Sequence, residues 1–187
     1  MKKIFIACCL SLCSFWAYGQ TFGIKSNVLY DATTTFNLGV EVGLAKKWSL
    51  DVSGNYNPWE FSDNRQIKHW MVQPELRWWT CERFNGSFFA LHGIYADYNA
   101  GGFKLPFGLY KPFRDHRYEG HLWGVGVGYG YQWILSNHWG LEAEIGVGYA
   151  RLHYDKYPRG CGNKIGTENK NYFGPTKIAL SFIYLIK

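Results

Sequence analysis

The chain has 187 residues, room for one ordinary domain and not two. Hydrophobic residues make up 47% and aromatics 19%, against 18% charged, which excludes a disordered chain. The formal charge of +6 is mild, and no apolar run of about 18 residues follows the N-terminal segment, so a helical multi-span membrane protein is excluded.

Residues 1–19 read as a secretory signal peptide. Lys2 and Lys3 form a short basic region, and Ile4 to Trp16 is almost wholly apolar. Ala17-Tyr18-Gly19 offers small residues where a signal peptidase reads, which places cleavage before Gln20. Cys8, Cys9 and Cys13 lie in the apolar stretch, but Leu12 is too large for the usual lipidation signal. The domain proper is then 20–187. It keeps Cys81 and Cys161, with no Cys-x-x-Cys to suggest zinc.

From there the sequence alternates with period two, the signature of a half-buried strand. Phe36, Leu38, Val40, Val42 and Leu44 alternate with Asn37, Gly39, Glu41 and Gly43. Trp48, Leu50, Val52 and Tyr56 alternate with Ser49, Asp51, Ser53 and Asn55. Odd positions from Trp123 to Trp133 are large and apolar, and glycine fills most of the even ones. Leu141, Ala143, Ile145, Val147 and Tyr149 alternate with Glu142, Glu144, Gly146 and Gly148. With weaker stretches included, strands are predicted over 22–31, 36–45, 48–58, 68–80, 87–97, 121–135, 139–153 and 174–187. Short connections near Thr33, at 45–47, 81–86 and 136–138 contrast with longer ones at 60–67, 98–120 and 154–172.

Short turns at one end and long loops at the other describe an all-β, eight-stranded antiparallel transmembrane up-and-down β-barrel. Trp123 and Trp133 share a face ten residues apart. At about 3.3 Å per residue and a tilt near 40°, that separation rises about 25 Å, the height of an outer-membrane apolar band. The polar face then points into the lumen. Lys25, Glu41, Asp51, Glu75, Arg77, Glu142, Glu144 and Lys177 all fall on it. Buried charges require partners, so Arg77 and Lys177 are each expected to meet at least one of these acids. Cys81 and Cys161 fall at opposite ends of the band, too far apart for a disulfide.

Little else suggests chemistry. His69, His92, His116, His121, His138 and His153 form no His-x-x-x-His pair, so no metal site and no cofactor are expected. No phosphate loop or dinucleotide fingerprint occurs, and export argues against nucleic acid. The alternative is a lipid A-modifying outer-membrane enzyme, for which Asp115-His116 offers two possible members. Those two would serve an acyltransferase, which uses His, Asp and Ser from outer loops around an apolar lumen, but a lumen rich in acids is hostile to an acyl chain; a lipid A deacylase would use a His-x-Ser pair, which is missing here. Binding is expected on the outer loop, at Phe107, Tyr110, Lys111, Phe113, Arg114 and Arg117, where bases suit lipopolysaccharide phosphates and aromatics suit a protein partner.

Asn27-Val28-Leu29-Tyr30-Asp31-Ala32-Thr33-Thr34-Thr35, then Asn37-Leu38-Gly39-Val40-Glu41, resembles the opening of a family of small outer-membrane proteins from Bacteroidales. Gly174-Pro175-Thr176-Lys177 extends the likeness to the last strand. That family is catalogued as a domain of unknown function. The resemblance implies an OmpA- or OmpX-like eight-stranded barrel, at times associated with fimbrial or surface-assembly genes, and carries over no catalytic residue. The expected role is non-enzymatic: structural, surface-binding or accessory to assembly at the bacterial outer membrane. Its expected partners are lipid, lipopolysaccharide and a surface or fimbrial protein.

Overall fold

Period-two alternation becomes, in space, a ring of antiparallel strands. The structure is a computed structural model and describes residues 22–61, 65–101, 116–158 and 163–186. The strands are β1 (Phe22–Asn27), β2 (Phe36–Ala45), β3 (Trp48–Asn57), β4 (Glu60–Phe61), β5 (Arg65–Trp79), β6 (Gly86–Gly101), β7 (His116–Ile134), β8 (Trp139–Pro158) and β9 (Gly166–Ile186). The sheet order is β3-β2-β1-β9-β8-β7-β6-β5, and pairing of β5 with β3 closes the ring of eight. The two-residue β4 carries on along the edge of β5 after β3 breaks at Pro58.

Strand ends differ from the expectation on the long-loop side. Residues 98–101, 116–120, 154–158 and 166–172, expected in loops, are strand. Their ladders continue as Tyr98↔Gly120, Asn99↔Glu119, Tyr154↔Glu168 and Asp155↔Thr167. Ala100, Tyr118 and Tyr154 are buried within these stretches, but their neighbours are mostly polar or small, so the apolar alternation that marks the rest is missing. The first strand errs the other way. It ends at Asn27, and Val28–Asp31 forms one helical turn, α1. The Asn27 side chain accepts from the Leu29 amide, and Asn37 donates to the Asp31 carboxylate at 2.7 Å, which turns the chain back. Residues 1–19 and the cleavage point before Gln20 lie outside the described residues.

Faces follow the alternation. Leu38, Val125, Val127 and Ile145 stand outward, each more than half exposed at 55–58%. Outward aromatics gather in two tiers. Trp70 and Tyr95 lie 5.4 Å apart toward the long-loop end, while Trp78 with Phe89 and Trp139 with Tyr184 lie 5.9 and 5.0 Å apart toward the short turns. Inward glycines make room. A Cβ on Gly126 would stand 2.5 Å from His92 Nε2, and one on Gly130 2.3 Å from the Phe88 ring.

At the short-turn end the interior is apolar. Phe84, Ile183 and Leu185 form one buried cluster, and Trp79, Phe88 and Ala90 another. Phe84 adopts φ 64, a left-handed conformation rare for an aromatic. Burial of its ring against Ile183 and Leu185 offsets that strain. The only described helix is α1, and no described helix is long and apolar enough to cross a membrane, which says nothing of strands.

Candidate functional site: a charged lumen and a histidine-bearing rim

The eight charges expected on the polar face meet in one network. Asp51 comes from β3, Glu75 and Arg77 from β5, Glu142 and Glu144 from β8, Lys25 from β1, Glu41 from β2 and Lys177 from β9. Seven are buried, and the Lys177 side chain is 8% exposed. Arg77 is the hub. Its Nε donates to Glu75 at 2.5 Å, Nη1 to Glu41 at 2.8 Å and to Glu142 at 2.6 Å, and Nη2 to Glu144 at 2.8 Å. Lys25 Nζ donates to Glu41 at 2.5 Å and lies 3.3 Å from Asp51. Lys177 Nζ donates to Glu75 at 2.7 Å and lies 3.1 Å from Glu144. A planar guanidinium with five donors suits this hub, because it serves several carboxylates in fixed directions.

The network runs on into neutral groups that alternation alone did not single out. Ser49 donates to Glu41, and the Trp79 indole donates to Ser49 at 2.8 Å. Phe88 lies under the guanidinium, 4.3 Å from its carbon. His92 is buried 3.8 Å from Glu75 and bonds Thr176 Oγ1 at 2.8 Å. Its inward parity was visible in the sequence, but its partner was not. Glu75, His92 and Glu144 offer metal-ligating atoms within 4.8 Å of one another. Lys177 already stands between the two carboxylates, so a cation is built in. With three bases committed to five acids, the lumen is a packed ionic core, and a void of about 30 Å³ beside Asp51 and Asn55 is room for little more than water.

The long-loop end is open. A cavity of about 820 Å³ lies there, lined by Lys68, His69, Asp97, His121, His153 and Asp155 among others. Of the expected binding residues, Phe107, Tyr110, Lys111, Phe113 and Arg114 lie outside the described residues, as does Cys161. Arg117 belongs to β7, where its guanidinium lies 4.7 Å from the centre of the Tyr157 ring and 3.9 Å from Glu119. Cys81 is a free, exposed thiol in the turn between β5 and β6. At this rim the charges sit in water. Hydrogen bonds from Lys164 and Thr167 hold the Asp155 carboxyl below the usual carboxylate range, and Lys68 does the same for Glu60.

The model of a family described as Protein of unknown function (DUF3575) matches residues 4–186. No curated protein and no solved structure matches.

Proposed function

We propose, from the premise that the chain belongs to the DUF3575 family, that it is a non-enzymatic β-barrel of the bacterial outer membrane. Its role is structural or surface-binding, including accessory work in a surface assembly. One observation carries this reading: the molecule is polar inside and apolar outside. Arg77, Glu41 and Glu75 are at most 1% exposed, while Leu38, Val125 and Ile145 face outward. A water-soluble barrel would reverse that order, because apolar surface gains free energy by leaving water. A hydrocarbon surround matches it, and a closed ring leaves no unpaired edge in the span. The two tiers of outward aromatics sit where membrane interfaces favour them.

A diffusion pore does not fit, because side chains fill the lumen. The candidate working surface is the long-loop end, whose bases suit lipopolysaccharide phosphates and whose aromatics suit a protein such as a fimbrial component. The test is refolding of the 20–187 chain into detergent micelles and lipid vesicles. The expected result is a folded form that migrates faster unboiled than boiled on a gel and floats with vesicles. A monomer that folds in detergent-free buffer would refute the proposal.

A further inference from the structure

β9 is paired on both edges only toward the short-turn end. Its ladder with β8 runs from Gly166 to Tyr184, whereas its ladder with β1 begins at Ser181, opposite Asn27. The Asn27 side chain stands in for one further step, accepting from the Leu180 amide at 3.2 Å and donating to the Ile178 carbonyl at 3.4 Å. Beyond that point the chain turns away into α1, and no described strand pairs with the second edge of β9. β2 and β3 reach no further than Phe36 and Asn57, so the wall beside this edge is low. Every residue from Thr167 to Phe173 is exposed.

In an antiparallel ladder alternate residues turn both N–H and C=O to the same side, so this second edge offers a row of donors and acceptors at strand spacing. Another extended backbone matches such a row. Natural proteins blunt exposed edges with proline or charge. Pro175 does so at the membrane end, but residues 166–174 carry Glu168 beside Lys170 and no net charge. Those two share one face of the strand by parity, and Phe173, 81% exposed, stands on the other. An antiparallel strand with an acid across from Lys170, a base across from Glu168 and an apolar residue across from Phe173 complements all three. A second copy carries this pattern in Ile165, Glu168 and Lys170. On the membrane reading, however, two copies inserted the same way have both β9 strands descending from the long-loop end, so they cannot pair antiparallel. The fitting occupant is a different polypeptide.

We propose that the second edge of β9, from Gly166 to Gly174, docks an extended segment of another polypeptide that adds to the sheet as an antiparallel strand of this pattern. The inference rests on the surface-binding role proposed above and names how a protein partner is held; unboiled gel mobility tests the folded chain separately from its edge. The probe is a fluorescent synthetic peptide with the sequence of residues 165–173, which has the required spacing, added to the full chain refolded in detergent. Fluorescence anisotropy should report binding, and amide exchange should slow at alternate residues between Thr167 and Phe173. N-methylation of one alternate set of peptide amides should abolish binding, and methylation of the other set should leave it unchanged. A chain carrying Glu168→Lys and Lys170→Glu should lose about tenfold in affinity, regained with a peptide whose two charges are exchanged. Should that variant fail to fold, the two methylated peptides on the wild-type chain give an independent reading. Equal binding of both methylated peptides, or no peptide binding at all, would overturn the proposal. So would a wild-type chain whose own residues 102–115 cross-link to this edge, or one that pairs the edge with a second copy.

Discussion

Arg77 shows what a buried charge requires. It is fully buried and touches Glu41, Glu75, Glu142 and Glu144, each within 2.8 Å. Removing one partner of a buried set leaves uncompensated charge, at a cost of about 3–5 kcal/mol. Arg77→Ala should therefore lower the unfolding free energy by at least that amount in urea titration of the refolded chain. Glu144 is the opposite case. Glu144 Oε2 accepts from Arg77 and lies 3.1 Å from Lys177 Nζ, but its Oε1 has no hydrogen-bond partner among the described residues. Glutamine keeps one accepting oxygen and removes one surplus negative charge. Glu144→Gln should match or exceed wild-type stability in the same titration; a loss comparable to that of Arg77→Ala would contradict this account. Of these details the sequence showed parity only. That Glu142 and Arg77 point inward follows from alternation, but that they touch across 65 residues follows from ring closure.

Among the elements, the β8–β9 hairpin reaches furthest from the apolar band. Beyond Arg151 its pairs are polar, as in Tyr154↔Glu168 and Asp155↔Thr167. The Tyr154 hydroxyl donates to Glu168 at 3.0 Å, and the Ile165 amide donates to the Lys156 carbonyl at 2.8 Å. Asp155 ties this end together through Lys164 and Thr167, which hold its folded pKa below the unfolded value of 3.8. A depressed acid contributes above its unfolded pKa and loses that contribution as pH falls through the folded one. Amide exchange at Ile165 and Gly166, corrected for intrinsic rate, should therefore be constant from pH 7 to about 4.5 and quicken at lower pH. Asp155→Asn should quicken it throughout. A wild-type change already at pH 6 would assign the tie to a different group. This hairpin end was illegible in the sequence because its β9 arm, exposed at every residue from Thr167 to Tyr172, has no alternation to show. The α1 turn was hidden for a related reason. Capping by Asn27 and Asn37 depends on side-chain bonds, not on periodicity.

On the scale of the whole molecule, the two ends are unlike. The short-turn end is stoppered by Phe84, Ile183 and Leu185, while the long-loop end carries the 820 Å³ cavity, lined in part by outward residues such as Trp70. Cys81 marks the stoppered end. If the barrel sits in the outer membrane as proposed, Cys81 faces the periplasm. A membrane-impermeant maleimide should then leave Cys81 unlabelled on intact cells and modify it once the cells are permeabilised, as read by peptide mass mapping. Labelling on intact cells would reverse the orientation.

The amino-acid sequence alone determined the strand-rich class, the ring strands within a few residues over the alternating spans, and the side of the wall that each residue faces. Those properties are local, because strand geometry turns every second side chain to the same face. Tertiary structure alone decided which residues are neighbours. Lys25 meets Glu41 and Glu142, and His121 meets His153, only through the register in which eight strands close. Period two carries no register, since a slide of two residues along a partner preserves every face while exchanging every contact. The lumen was therefore foreseeable as a set of charges, whereas the paired histidines of the rim emerged only once β7 and β8 were aligned.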